Sequence, residues 1–333
     1  MLVGSLDSLL GSAVAAGGTA GGGVGISGTR VEPAAPAIDC AAPTNDSRTV
    51  LVTGCSSGIG AATARLLRDA GWTVYPTARK PEDLDALRAD GFDPVALDLA
   101  DPDSVAQAAD AVLARAGGQL GALVNNAGYC QAGAMEDISR AALRAQFEAN
   151  VFGLHDLTRA LLPAFRRQHH GRIVNVSSVF GRLAAPMVGS YCASKFALEA
   201  LSDALRIELR GTGIWVALIE PGAILSRFRK NAAETLARSV DREQSAYGST
   251  YAHEIERRRR QVKKADFFTR PPEDVARRIR HALESPRPRR RYRVTPAAAL
   301  AELAARWIPA ALTDRLLARR VPPRTPDTSG GSR

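Results

Sequence analysis

The chain has 333 residues, 45% of them hydrophobic and 23% charged, ordinary values for a soluble globular protein with room for one large α/β domain. Its apolar stretches are short and broken by Gly, Asp or Arg, and no Lys or Arg precedes Arg30, so neither a membrane span nor a secretory signal is expected. The formal charge of +10 is unevenly placed: residues 226–333 hold 26 Lys and Arg against 12 Asp and Glu, a net of +14, and the rest of the chain is acidic.

Residues 1–47 are rich in Gly, Ala and Ser, then in Pro, without a sustained period. Such a stretch buries too little side-chain area to offset its ordering entropy and reads as a disordered tail. Gly23-Val24-Gly25-Ile26-Ser27-Gly28 inside it matches the GxGxxG dinucleotide fingerprint. No apolar strand leads into that match, and Pro33 and Pro36 deny it a long following helix, so it reads as a coincidence of composition.

From Thr49 the texture changes. Apolar, β-rich runs predict strands at Thr49–Thr53, Thr73–Thr77, Val95–Leu97 and Ala122–Val124, then at Arg172–Val176, Ile214–Ile219 and Arg291–Val294. Helical periods lie between them, at Ile59–Ala70, Pro81–Asp90, Pro102–Ala116, Ala141–Arg167, Tyr191–Arg210 and Pro272–Leu283. Strict alternation, with strands apolar throughout, predicts a doubly wound parallel sheet of Rossmann type over residues 48–295, covered by helices on both faces. A C-terminal helical extension over residues 296–333 follows.

The first strand runs directly into Thr53-Gly54-Cys55-Ser56-Ser57-Gly58-Ile59-Gly60 and then into a helix. Gly54 permits a tight turn, Gly58 lets backbone approach a pyrophosphate, and Gly60 lets the helix pack close to the sheet. The helix N-terminus offers unpaired N–H groups and a favourable field to phosphate, with Ser56, Ser57 and Ile59 in the same loop. At the end of the second strand an NAD site normally places Asp or Glu against the ribose hydroxyls. That acid is missing, and Arg79 instead offers a permanently charged fork suited to a 2′-phosphate, which favours NADP (NADPH). Further on, Tyr191 and Lys195 are four residues apart, one turn along one helix face. A tyrosine titrates near pH ~10, and a neighbouring cation is expected to bring it towards useful acid–base range.

This Gly-loop spacing, with the YxxxK pair, resembles the short-chain dehydrogenase/reductase family. The resemblance covers residues 48–295 and implies an oxidoreductase that moves a hydride between NADP(H) and a carbonyl or alcohol. It implies that Asp98 and Leu99 contact the adenine. Asn126, Ala127 and Gly128 of the Asn125-Asn126-Ala127-Gly128 run border the adenosine side, with Asn126 helping to hold the sheet. It assigns a catalytic tetrad of Asn150, Ser178, Tyr191 and Lys195. Ser178 is favoured over Ser177 by its separation from the tyrosine, and Lys195 also binds the nicotinamide ribose. Pro221, Gly222 and Ile224 hold the nicotinamide amide, and Ser226 stands where the family usually has Thr. A basic residue after the second strand implies NADP preference there too. Family members usually pair through the helices at Ala141–Arg167 and Tyr191–Arg210, so a homodimer or homotetramer is expected.

Tyr129, Cys130 and Gln131 are expected to wall a pocket whose occupant the sequence does not name. The segment after Ser226 reads as a long, irregular lid carrying Arg227, Arg229, Lys230, Arg257–Arg260, Lys263 and Lys264. In the tail, Leu300, Leu303 and Trp307 share a helical face, with Arg315, Arg319 and Arg320 beyond. Lid and tail resemble, loosely, family members acting on steroid, retinoid or other bulky lipophilic carbonyls. The tail is expected to dock on the body near the cleft, with a membrane surface as the alternative, and the basic third could also meet a peripheral membrane or an acidic carrier protein. Two other functions compete: an inactive cofactor-binding scaffold or sensor, which the intact tetrad opposes, and nucleic-acid binding. The arginines are not interleaved with stacking aromatics and no helix-turn-helix or zinc pattern accompanies them, so no nucleic acid is expected. Cys40, Cys55, Cys130 and Cys192 are scattered without a CxxC pair or a His at ligand spacing, which predicts a reduced, cytoplasmic protein without a metal site.

Overall fold

The computed structural model describes residues 47–259, 269–295 and 309–318. The tail before residue 47 with its Gly23–Gly28 match lies outside the described residues, as do Arg260, Lys263, Lys264, Leu300, Leu303, Trp307, Arg319 and Arg320.

The first half alternates β1 (Thr49–Val52), α1 (Gly58–Asp69), β2 (Thr73–Ala78), α2 (Pro81–Ala89), β3 (Val95–Ala96), α3 (Pro102–Arg115) and β4 (Ala122–Asn125). Then come α4 (Arg140–Phe147), α5 (Gly153–Gln168), β5 (Gly171–Val176), α6 (Gly189–Glu208) and β6 (Ile214–Glu220). The last part holds β7 (Ala223–Ile224), α7 (Phe228–Ser239), α8 (Gly248–Arg259), β8 (Thr269–Arg270), α9 (Pro272–Glu284), β9 (Arg291–Arg293) and α10 (Ala310–Ala318). Each predicted strand is present to within about a residue.

Seven strands form one parallel sheet in the order β3-β2-β1-β4-β5-β6-β9. Successive side chains on a strand point to opposite faces, so each apolar run feeds two cores. Val50, Val52, Val124, Val174 and Ile219 face α1 and α9, where Leu67, Val275, Ile279 and Leu283 meet them. Leu51, Leu123, Ile173 and Val216 face α3 and α5, against Val112, Leu157, Leu161 and Phe165. The expected doubly wound architecture follows from that double burial. The chain builds outward from β1 to β3, then returns to place β4 on the other side of β1. The carboxyl ends of β1 and β4 therefore flank the switch point, where open α/β sheets bind ligands.

Two expectations need correction. The helix predicted as continuous over Ala141–Arg167 is interrupted by a π-turn at Glu148–Phe152 that sets Asn150 inward and fully buried. The segment after Ser226 is helical rather than irregular. Ala232, Ala233 and Leu236 of α7 and Tyr251 and Ile255 of α8 are buried at helical spacing, in one apolar cluster with Tyr191. Two-residue strands β7 and β8, which no pattern predicts, pair in parallel beneath it.

Candidate active site

The loop after β1 is shaped by backbone demands. Gly54 sits at φ +72°, in the left-handed region that favours glycine, and a Cβ there would lie 2.8 Å from Ala127 Cα. At Gly60 a Cβ would lie 2.2 Å from the Gly54 carbonyl oxygen, so only glycine lets α1 start this close to the loop. Ser57 caps α1 without a side-chain hydrogen bond, and the first turn holds no acid. Its leading N–H groups thus keep their affinity for an anion.

The switch point is tied together by two side chains. Thr53 Oγ1 accepts from the N–H groups of Asn126 and Ala127, each at 2.9 Å. Asn126 Nδ2 donates back to the carbonyls of Thr53 at 2.9 Å and Gly54 at 3.1 Å. Asn126 thus bridges β1 and β4, as the family pattern implies. The Gly54 N–H donates to Thr77 Oγ1 at 3.2 Å, which brings in a β2 residue that motif reading did not single out.

On the other side of β4, Ser178 ends β5 and caps a single 3₁₀ turn, its Oγ accepting from Phe180 N–H at 3.1 Å. Ser178, rather than Ser177, is the serine whose side chain lowers the phenol of Tyr191, on the first turn of α6, against the effect of burial. Tyr191 lies between Phe180, edge-on at 6.4 Å, and Phe228, at 5.5 Å between ring centroids. Lys195 Nζ lies 5.9 Å from the Tyr191 ring centroid. It donates to the Val176 carbonyl at 2.8 Å, not to the phenol. Asn150 is set slightly apart: Nδ2 donates to the Tyr129 carbonyl at 3.0 Å and to Ser194 Oγ at 3.2 Å, and Oδ1 accepts from Tyr129 N–H.

The electrostatics reverse one expectation. Burial raises the Tyr191 phenol above its ordinary value, and the Ser178 side chain only partly offsets it. The phenol is therefore protonated at neutral pH, the form from which a proton donor starts, and a weaker acid than a free tyrosine. Burial also pulls the Lys195 ammonium down to about 8, with Glu199, one turn further along α6, opposing the fall. Cys130 and Cys192 lie in the same apolar cluster as Tyr191, and burial pushes the Cys130 thiol up to about 12, so both behave as small hydrophobes.

A cleft of about 550 Å³ opens at the strand ends. Of the residues expected to hold a cofactor, Gly54, Arg79, Asp98, Leu99, Ala127 and Gly128 line it. Arg79 is 3.7 Å from Asp98 across its mouth. Ser56, Ser57, Ile59 and Asn126 frame the loop without lining this cleft, and the buried Tyr191 and Lys195 do not line it either. Ser226 is carried to the loop, since a Cβ on Gly58 would meet its Cβ at 3.2 Å. Pro221 is held by its carbonyl, which accepts from Val179 N–H at 2.9 Å. Gly222 packs against Thr295, and Ile224 lies against the sheet core. Motif reading missed Asn231, Glu234, Thr235 and Arg238 of α7, which also line the cleft. Their i, i+3, i+4, i+7 spacing was the available signal. These features suit a dinucleotide: an uncapped helix start, a loop that tolerates no side chain at Gly60, and a cation beside the switch point.

The pattern of the short chain dehydrogenase family matches residues 48–237. The Escherichia coli K12 oxidoreductase YbbO is 42% identical over 270 residues, 81% of this chain and 94% of that protein. Human retinol dehydrogenase 5 is 35% identical over 282 residues, 80% of this chain and 87% of that one. A Burkholderia phymatum short chain dehydrogenase/reductase solved with NAD superimposes with a TM-score of 0.67 at 25% identity, covering 85% of this chain and 99% of that one. A metagenomic short-chain oxidoreductase solved with NADP superimposes with a TM-score of 0.57 at 29% identity, covering 76% and 99%. The chain belongs to the short-chain dehydrogenase/reductase family and is an oxidoreductase with a nicotinamide site, acting on CH–OH or C=O groups.

Proposed function

We propose that this protein is an NADP(H)-dependent reductase or dehydrogenase of a lipophilic carbonyl or alcohol, in which Asn150, Ser178, Tyr191 and Lys195 act together. The observation that carries the cofactor choice is Arg79, exposed at the end of a β2 strand (Thr73–Ala78) that contains no acid. A guanidinium there complements a 2′-phosphate, whereas the acid that would bind ribose hydroxyls is absent. The lipophilic substrate is supported by what surrounds Tyr191: Phe180, Phe228, Met187, Val188, Leu236 and the two thiols share one apolar cluster with it. A human relative that covers most of the chain bears the name of a retinol dehydrogenase.

The bound nicotinamide supplies or takes the hydride. The protein orients the carbonyl and manages its charge. Ser178 and Tyr191 point hydroxyls at one oxygen, and as negative charge develops there Tyr191 gives up its proton. Lys195, held by the Val176 carbonyl beside the ring, offsets the resulting phenolate. Asn150 fixes the Tyr129 backbone and Ser194, and so positions the α6 turn that carries Lys195. Association through α5 and α6 is supported by exposed apolar side chains: Phe152 leads into α5, and Phe196, Leu201 and Ile207 lie on α6.

The test is nicotinamide oxidation on a panel of aldehydes, ketosteroids and retinaldehyde, run with NADPH and with NADH. Turnover of the apolar carbonyls with NADPH, at lower KM than with NADH, is expected. Equal use of both cofactors, or turnover of small hydrophilic carbonyls alone, would overturn the reading.

A further inference from the structure

The helix α7 has two faces with two different neighbours. Ala232, Ala233 and Leu236 are buried with Tyr191, Cys192 and Tyr251, and Phe228 at its start packs on the Tyr191 ring. The opposite stripe, Asn231, Glu234, Thr235 and Arg238, is polar throughout and lines the same cleft as Gly54, Arg79, Lys80 and Asp98. The polar face that such a helix ordinarily turns to water here borders the cleft, so whatever occupies the cleft meets polar groups of α7.

The charges at the cleft say what that is. Arg79 already faces Asp98 at 3.7 Å, and Lys80 faces Glu82 at 3.5 Å. Glu234 is 3.9 Å from Lys230, one turn back on the same helix. Arg238 has no carboxylate within ion-pair distance among the described residues. It therefore brings an uncommitted guanidinium to a cleft whose other cations are each shared with an acid. A planar fork of donors suits a dianionic oxygen cluster far better than a hydroxyl.

We propose that the polar stripe of α7 is a second wall of the dinucleotide site, in which Arg238 joins Arg79 on the 2′-phosphate of NADP(H). This deepens the NADP(H) reading and rests on it. It also makes α7 a mechanical link, because the turn that meets the phosphate is continuous with the face that covers Tyr191.

The experiment is a titration of the full chain with NADPH and with NADH, read by nicotinamide fluorescence, for the parent, R238Q, R238K, E234Q and the R79Q/R238Q pair. Arg238 is exposed on its helix, so thermal melts of the variants should overlay the parent. R238Q should weaken NADPH roughly tenfold or more, the scale of one lost charge-assisted contact, and leave NADH unmoved. R238K should recover part of that loss, and E234Q should tighten NADPH by removing an acid from the cleft. Two residues on one phosphate couple, so R79Q and R238Q should be less than additive. A parent that prefers NADPH while R238Q keeps the whole preference overturns this inference alone. So does an R238Q variant that loses NADPH and NADH equally. A parent without preference overturns the NADP(H) reading, and this inference with it.

Discussion

Changing Tyr191 to Phe removes one oxygen from a buried apolar cluster and keeps the ring. The ring contacts with Phe180 and Phe228 survive, and Ser178 Oγ still accepts from Phe180 N–H, so no buried partner is left wholly unsatisfied. The net loss is at most the worth of one neutral hydrogen bond, about 1 kcal/mol, offset in part because a buried hydroxyl no longer has to be desolvated. For a chain of this size that is a fall in melting temperature of about 2–4 °C or less. The NADPH dissociation constant should stay nearly unchanged, because Tyr191 is not among the residues that line the cleft bordered by Arg79 and Asp98. Turnover should fall about 10²–10⁴-fold, the usual worth of a positioned proton donor, which corresponds to roughly 3–5 kcal/mol of barrier. The assay is NADPH oxidation with any carbonyl the parent reduces, alongside a melt and a cofactor titration. A variant that folds, binds NADPH and turns over at the parental rate would show that the proton comes from elsewhere.

The Lys195 ammonium is present below its value of about 8 and lost above it, so kcat/KM for reduction should be level at neutral pH and fall as pH rises through about 8. Glu199→Gln removes the anion that opposes the burial effect and should move that limb to lower pH; a limb that stays in place would detach it from Lys195. Gly60→Ala puts a Cβ 2.2 Å from the Gly54 carbonyl, forcing α1 off the loop, at a cost of about 1–3 kcal/mol and with weakened cofactor binding. An unchanged melt and dissociation constant would refute that close-approach argument. Light scattering of Phe196→Glu with Ile207→Glu should report a smaller mass than the parent, since both side chains are exposed on α6. A parental mass would place the contact on another face.

The sequence determined the strands and the Gly loop by itself because both signals are local. A strand buried on both faces is an unbroken apolar run, and the glycines are required by backbone within a few residues of themselves. Its choice of Ser178 over Ser177 rests on the family's separation between serine and tyrosine, and Ser178 is the serine whose side chain lowers the Tyr191 phenol. What only the tertiary structure decided depends on residues far apart in the chain. The bonds between Thr53 and Asn126 exist because β4 lies beside β1. The direction of the Tyr191 shift could not be read from a YxxxK pair, because Lys195 spends its proton on the Val176 carbonyl while the surroundings bury the phenol. The stripe of α7 was visible as a pattern, yet without the cleft it faces it was indistinguishable from a solvated helix surface. Periodicity says that a helix has two sides, and only packing says what each side meets.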